Sequence, residues 1–222
     1  MADAAFELWD PAGNLLCDSR NVNMFLRHMG TVSGVFTFNA VRPVVFFVPT
    51  GGGFATMRSL VNNGNGTYTV TFTGVAVEYY IFDWPWVTGG PMDIWAQDGR
   101  HIFMSTARPM NVYGNLRIPR YWNSDGTGSG YIDGMEVGGL PARKWAYCPS
   151  FQRRGFQCYP VAGGGWSSIW WGESYAARST GVYSKIQDQL ASLFGWAPLR
   201  NTRFVSDAEE NDIAVIDVTG WQ

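Results

Sequence analysis

Few groups in this chain could do chemistry. His28 and His101 are its only histidines, and Cys17, Cys148 and Cys158 its only cysteines. Both histidines stand far from Cys148 and Cys158, whose own spacing makes no zinc site. A Ser/His/Asp relay needs a Gly-x-Ser-x-Gly elbow, and the nearest string, Gly126-Thr127-Gly128-Ser129-Gly130, lacks it. That string and Gly163-Gly164-Gly165 read as flexible loops, because neither joins a strand to a helix ahead of a lysine as a phosphate cradle does. Asp207, Glu209, Glu210 and Asp212 lack the spacing of a calcium loop and read as a solvated turn before the last strand. Asp18 with Asp83, or Asp133 with Glu136, could act as acid and base in a glycosidase, but the sequence brings neither pair together. The expectation is no enzyme, no metal and no cofactor.

Aromatic side chains offer more. Trp122, Trp145, Trp166, Trp170, Trp171 and Tyr175 are candidates for stacking on sugar rings or for burial against a neighbouring subunit. Adjacent residues of a strand face opposite sides, so Trp170 and Trp171 cannot both point outward. The chain is 46% hydrophobic and 16% aromatic, with 11 Trp, and only 15% charged. Ordinary soluble domains carry about 25% charged residues. The deficit predicts an assembly that covers apolar surface.

The net charge of −2, with no basic cluster beyond Arg153-Arg154, predicts no nucleic-acid partner. No apolar run is long enough to span a membrane as a helix. The opening Met-Ala-Asp-Ala-Ala lacks the basic and apolar regions of a signal peptide, which predicts synthesis in the cytoplasm. There Cys17 reads as a small core residue. Cys148 and Cys158 could pair across a hairpin base but read as free thiols.

The elements that would position these groups read as strands. Alternating or β-branched runs cover 5–10, 15–17, 32–38, 41–48, 67–73 and 75–82, with a hairpin turn at Asn62-Asn63-Gly64-Asn65-Gly66. The unbroken apolar run Val44–Val48 predicts a strand buried on both faces or paired with a partner. Asp83 to Pro91 is rich in Pro and Gly and reads as a boundary. The one helix expected is Ser184–Phe194, with Ile186, Leu190 and Leu193 on one face, Ser184 as cap and Gly195 as stop.

One pattern recurs. Phe6-Glu7-Leu8-Trp9-Asp10-Pro11-Ala12-Gly13-Asn14-Leu15-Leu16-Cys17-Asp18-Ser19 matches Met92-Asp93-Ile94-Trp95-Ala96-Gln97-Asp98-Gly99-Arg100-His101-Ile102-Phe103-Met104-Ser105. The scaffold positions Trp9, Gly13 and Ser19 correspond to Trp95, Gly99 and Ser105. The spacing suits two copies of a small domain. Asp212–Val218 resembles Gly74–Tyr80 and would close the second copy as that segment closes the first. The expected fold is all-β: a sandwich-like module over 1–86 and a second over 91–222, the latter with a Gly- and aromatic-rich insertion at about 120–200 that holds the short helix.

The first hairpin resembles the opening of a group of bacteriophage tail proteins, Gly-Leu-x-Val-Phe-x-x-x-Gly-x-x-x-Phe-Asp-Ser, a pattern that often recurs at a second module. Leu8, Trp9, Gly13, Asp18 and Ser19 match, while Glu7 and Cys17 depart from it. The later copy keeps Ile94, Trp95, Gly99 and Ser105 but has Met104 in place of Asp. The resemblance implies a structural protein of the tail tip or baseplate, located in the virion, with other tail proteins as partners. It carries no catalytic residue. On this reading the chain is a homo-oligomer, a ring or trimer within the tail, and 120–200 faces tail partners or a host-surface receptor. The rival readings are a carbohydrate-binding module using its Trp residues and a tail-associated glycan hydrolase.

Overall fold

The computed structural model describes residues 7–9, 13, 15–18, 22–96, 98–119, 134–162, 165–194 and 210–221. The described residues are all-β and contain no helix. A hairpin of β1 (Glu7–Trp9) and β2 (Leu15–Asp18) comes first. There follow β3 (Phe25–Val32), β4 (Val35–Asn39), β5 (Val44–Pro49), β6 (Ala55–Asn62), β7 (Thr67–Gly74) and β8 (Val77–Asp83). A second hairpin, β9 (Asp93–Trp95) and β10 (His101–Met104), opens the other half. It leads to β11 (Gly114–Ile118), β12 (Met135–Val137), β13 (Trp145–Pro149) and β14 (Arg154–Val161). The last three strands are β15 (Gly165–Arg178), β16 (Gly181–Phe194) and β17 (Asn211–Asp217).

Two antiparallel sheets contain all but the hairpins. One has the order β11-β17-β13-β5-β8-β3 and the other β12-β16-β15-β6-β7-β4, with β14 added beside β15. Both orders are palindromes of the duplication. Replacing β3, β5 and β8 by β11, β13 and β17 reverses the first sheet, and replacing β4, β6 and β7 by β12, β15 and β16 reverses the second. Each half thus gives three strands to each sheet, and the halves meet edge to edge. Tyr147 pairs with Phe47 at one seam and Tyr175 with Ala55 at the other.

The register repeats too. Pro49 ends β5 opposite Val77, and Pro149 ends β13 opposite Ile213. Gly30 lies opposite Tyr79, and Gly114 opposite Val215. The structural equivalent of Ile213 is therefore Val77, two positions from the match made on composition.

Alternation in the central strands fills two cores. Val45, Phe47, Val77, Tyr79, Ile81, Trp145, Tyr147, Ile213 and Val215 belong to a cluster shared with the second sheet through Ala55, Val70, Phe72, Tyr175 and Val182. The intervening Phe46, Val48, Tyr80, Phe82, Ala146, Ile216 and Val218 form a second cluster, which Met24, Leu26, Met110 and Trp221 join. Val44–Val48 has no polar face because both sides of β5 are buried. The first sheet also meets itself. Phe25 bridges Pro109, with Leu26 N–H donating to Arg108 C=O at 2.8 Å and Met110 N–H to Met24 C=O at 2.7 Å. That segment runs directly into β11, so it links the sheet's two edge strands around the second core.

Two expectations are corrected. Ser184–Phe194 is not a helix but part of β16, paired along its length with β15. The spacing of Ile186, Leu190 and Leu193 satisfied a helical face, but a neighbouring strand of 14 residues supplied continuous pairing that overrode local propensity. The helix cap expected at Ser184 is a buried side chain whose hydroxyl donates to Glu173 Oε1 at 2.8 Å. Nor is 120–200 mainly an insertion, since β12, β13, β15 and β16 are frame strands with counterparts in the first half. The excess within the described residues is β14 and the greater length of β15 and β16, 14 residues each against 8 in β6 and β7.

A salt bridge ties the halves together. Lys144 Nζ lies 2.5 Å from Glu78 Oε2. Partial burial pushes the Glu78 carboxyl up, but the Lys144 ammonium and the Tyr80 hydroxyl outweigh it, and the pKa settles below the ordinary value. A carboxyl depressed by folding stabilises fully above its unfolded pKa and loses that contribution as pH falls through the folded value. Wild type should therefore melt above Glu78→Gln at neutral pH, and the gap should close in acid titrations carried below about pH 4.

Candidate functional site

Two features stand outside the sandwich frame: the twin hairpins, and the three-stranded extension of β14, β15 and β16. In the hairpins Gly13 and Gly99 adopt φ of +84° and +83°, the left-handed turn conformation in which a side chain is strained. Met92 N–H donates to Ser105 Oγ at 3.0 Å, and Ser105 N–H to Met92 C=O at 3.0 Å, closing the second hairpin. Asp93 fixes its base, accepting from Gly89 and Gly90 N–H at 2.7 and 2.9 Å and lying 3.2 Å from His101 Nε2. The repeated Gly and Ser thus have local jobs. Ser19 lies outside the described residues.

The repeated Trp does not. Trp9 is 52% exposed and Trp95 48%, although Trp95 stacks on His101 at 4.9 Å. The other face of the second hairpin is docked. Phe103 meets Phe25 edge-on at 5.6 Å, Ile94 and Trp86 pack beside them, and Asn23 donates from both N–H and Nδ2 to Ile102 C=O. The hairpin of the second half therefore sits on the start of β3 in the first half and presents Trp95 outward. Gly99→Ala should cost about 1–2 kcal/mol. Because the hairpin is a peripheral unit, the effect should appear in hydrogen exchange as lost amide protection across 93–104 before the sandwich strands respond.

The extension grows from a buried polar root. Glu173 on β15 accepts from Arg153 Nε at 2.9 Å and Nη2 at 2.5 Å, from Ser184 Oγ at 2.8 Å and from Asn211 Nδ2 at 2.8 Å. Arg153 Nη1 also donates to Pro119 C=O at 2.8 Å, and Asn211 Nδ2 to Phe151 C=O at 2.9 Å and Tyr175 Oη at 3.0 Å. Each of these side chains is nearly inaccessible. The cluster joins β15, β16 and β17 at the point where β14 starts. Sequence reading missed it because an isolated Glu, Ser and Asn in three separate strands form no motif. The one signal was a Glu within the otherwise uncharged stretch from Gly163 to Ala177.

The expected contact aromatics divide. Trp145 is 1% exposed, its indole N–H bonded to Pro141 C=O at 2.9 Å and Ser179 C=O at 3.0 Å, and Tyr175 is fully buried. Both are core residues, which removes them as surface contacts. Trp122 lies outside the described residues. Trp166, Trp170 and Trp171 lie on β15, opposite Pro160, Phe156 and Gly155 of β14. Trp171 has the register parity of Glu173 and Tyr175, and Trp166 and Trp170 the other.

Of the carboxylates, Asp83 is fully buried and engaged by Arg27 and two backbone N–H groups, which makes it an anchor. Glu136 is exposed and 3.7 Å from Arg178. Glu210 and Asp212 share Arg117, whereas Asn211 between them is buried, so that part of the expected turn already belongs to β17. Asp207, Glu209 and Asp133 lie outside the described residues, as does the string from Gly126 to Gly130. Cys148 is a free thiol, and burial pushes its pKa up to about 11, which keeps it protonated and unreactive. No family model, curated protein or solved structure matches the chain.

Proposed function

We propose that this chain is a structural component of a bacteriophage tail tip or baseplate. The observation that carries the reading is the twice-used hairpin. The pattern that resembles tail proteins lies on β1–β2 and again on β9–β10, with Trp exposed at the equivalent position of each. A duplicated frame with large apolar groups outside it suits a protein that works by packing against other subunits. The lengthened β14–β15–β16 unit, anchored by the Arg153–Glu173 cluster, is the part available for a tail partner or a host surface.

The test is deletion of the gene in the phage or prophage that encodes it. Loss of complete, adsorbing tails, restored by the wild-type chain and poorly by a Trp9→Ala/Trp95→Ala variant, is the expected outcome. Normal tails and normal plating from the deletion would overturn the assignment. Tight binding of host glycan by the purified chain, abolished by Trp170→Ala and combined with normal tails, would move it to the carbohydrate-binding reading.

A further inference from the structure

We infer that β4 is an assembly edge through which two copies of this chain join antiparallel, with Thr37 of each at the twofold axis. The bonding of β4 shows which of its groups are available. Gly34 C=O accepts from Phe72 N–H at 2.8 Å, and Ala40 N–H donates to Gly66 C=O at 3.0 Å. Even-numbered residues therefore bond to β7, and the N–H and C=O groups of Val35, Thr37 and Asn39 point to the other edge. No described strand lies there. Asn39 C=O is met by His28 Nε2 at 3.0 Å; the groups of Val35 and Thr37 have no partner among the described residues.

Two other edges differ from it. The edge strand β3 is bridged at its first residue, Phe25, to Pro109. The counterpart of β4 in the second half, β12, has three residues and carries Glu136. By contrast, Val35-Phe36-Thr37-Phe38-Asn39 has no charge, no proline and no bulge against β7. Soluble monomers avoid such an edge because it templates pairing. Val35 is 63% exposed, and Val41 and Met29 nearby are 53% and 41% exposed.

A second copy is the occupant this edge fits. Antiparallel self-pairing about Thr37 sets Thr37 against Thr37, Val35 against Asn39 and Phe36 against Phe38, with no like charges opposed. The chain already joins its halves by antiparallel edge pairing at Tyr147/Phe47 and Tyr175/Ala55, so the dimer would extend a sheet in the manner the fold itself uses. This inference does not depend on the virion assignment.

The discriminating variant is Thr37→Pro, which deletes an N–H that no bond among the described residues uses and is tolerated sterically on an edge strand. Sedimentation of the full chain should give a dimer for wild type and at least a tenfold weaker association for Thr37→Pro, with unchanged circular dichroism. If the proline variant misfolds, Thr37→Lys takes its place, opposing two ammonium groups across the axis. His28→Ala, which frees Asn39 C=O, should tighten the dimer. A wild-type chain that stays monomeric up to about 100 μM, far above the micromolar range where weak specific contacts form, overturns the inference. So does a dimer that survives Thr37→Pro or Thr37→Lys but is lost in Trp9→Ala/Trp95→Ala.

Discussion

Glu173→Ala is expected to cost about 3–5 kcal/mol, the range for removing one partner of a buried ion pair. The carboxylate is fully buried and takes two bonds from Arg153, whose side chain is 4% exposed. Removing it takes from the buried guanidinium its Glu173 partner, and leaves Ser184 and Asn211 without their shared acceptor. For a chain of this size the melting temperature should fall by roughly 6–20 °C. Arg153→Met/Glu173→Leu should lose less than either single change, because it removes both charges and leaves neither stranded. Thermal denaturation of the three variants checks this. A single-variant loss under about 1 kcal/mol, typical of an exposed pair, would mean that the root of the extension is wet.

Asp83→Ala ranks next. Asp83 is the last residue of β8, and its carboxylate gathers three donors: Arg27 Nη1 at 2.5 Å, Val41 N–H at 2.8 Å and Arg42 N–H at 2.7 Å. Arg27 and Arg42 in turn lie over the Trp86 and Trp84 rings at 5.1 and 4.8 Å, so the same carboxylate orders the segment that leaves the first half. Truncation removes the shared acceptor of Arg27 Nη1 and of two part-buried N–H groups, an expected loss of about 3 kcal/mol. Asp83→Asn, which can still accept from one N–H, should lose less. Chemical denaturation with both variants reads the difference. An alanine variant as stable as wild type would mean that the 40–43 loop is held by other contacts.

Both residues show where sequence reading stops. Strands were legible because their signals are local: alternation over 67–73, the turn at 62–66, the unbroken run at 44–48. The hairpin repeat was legible because Trp, Gly and Ser recur at fixed offsets. Sheet order was not, since the pairing of Phe47 with Tyr147 joins positions with no shared local pattern. β16 was misread because Gln187-Asp188-Gln189-Leu190-Ala191 has good helical propensity, and only the long β15 beside it decides otherwise. Asp83 looked like a candidate acid because its three donors come from β3 and the 40–43 loop. Trp145 and Tyr175 looked like contact residues because composition gives no depth.

Against that background the repeated hairpin changes meaning. It marks a duplication that runs through both sheets, and among the described residues the departures from it are β14 and the extended ends of β15 and β16. The central claim is that this duplicated frame is built into a virion tail. Quantitative mass spectrometry of purified particles and of detached tails tests it most directly. The account predicts peptides of this chain at a small fixed copy number per particle, retained in the tail fraction. Absence from particles, with the chain abundant in the lysate, would contradict it.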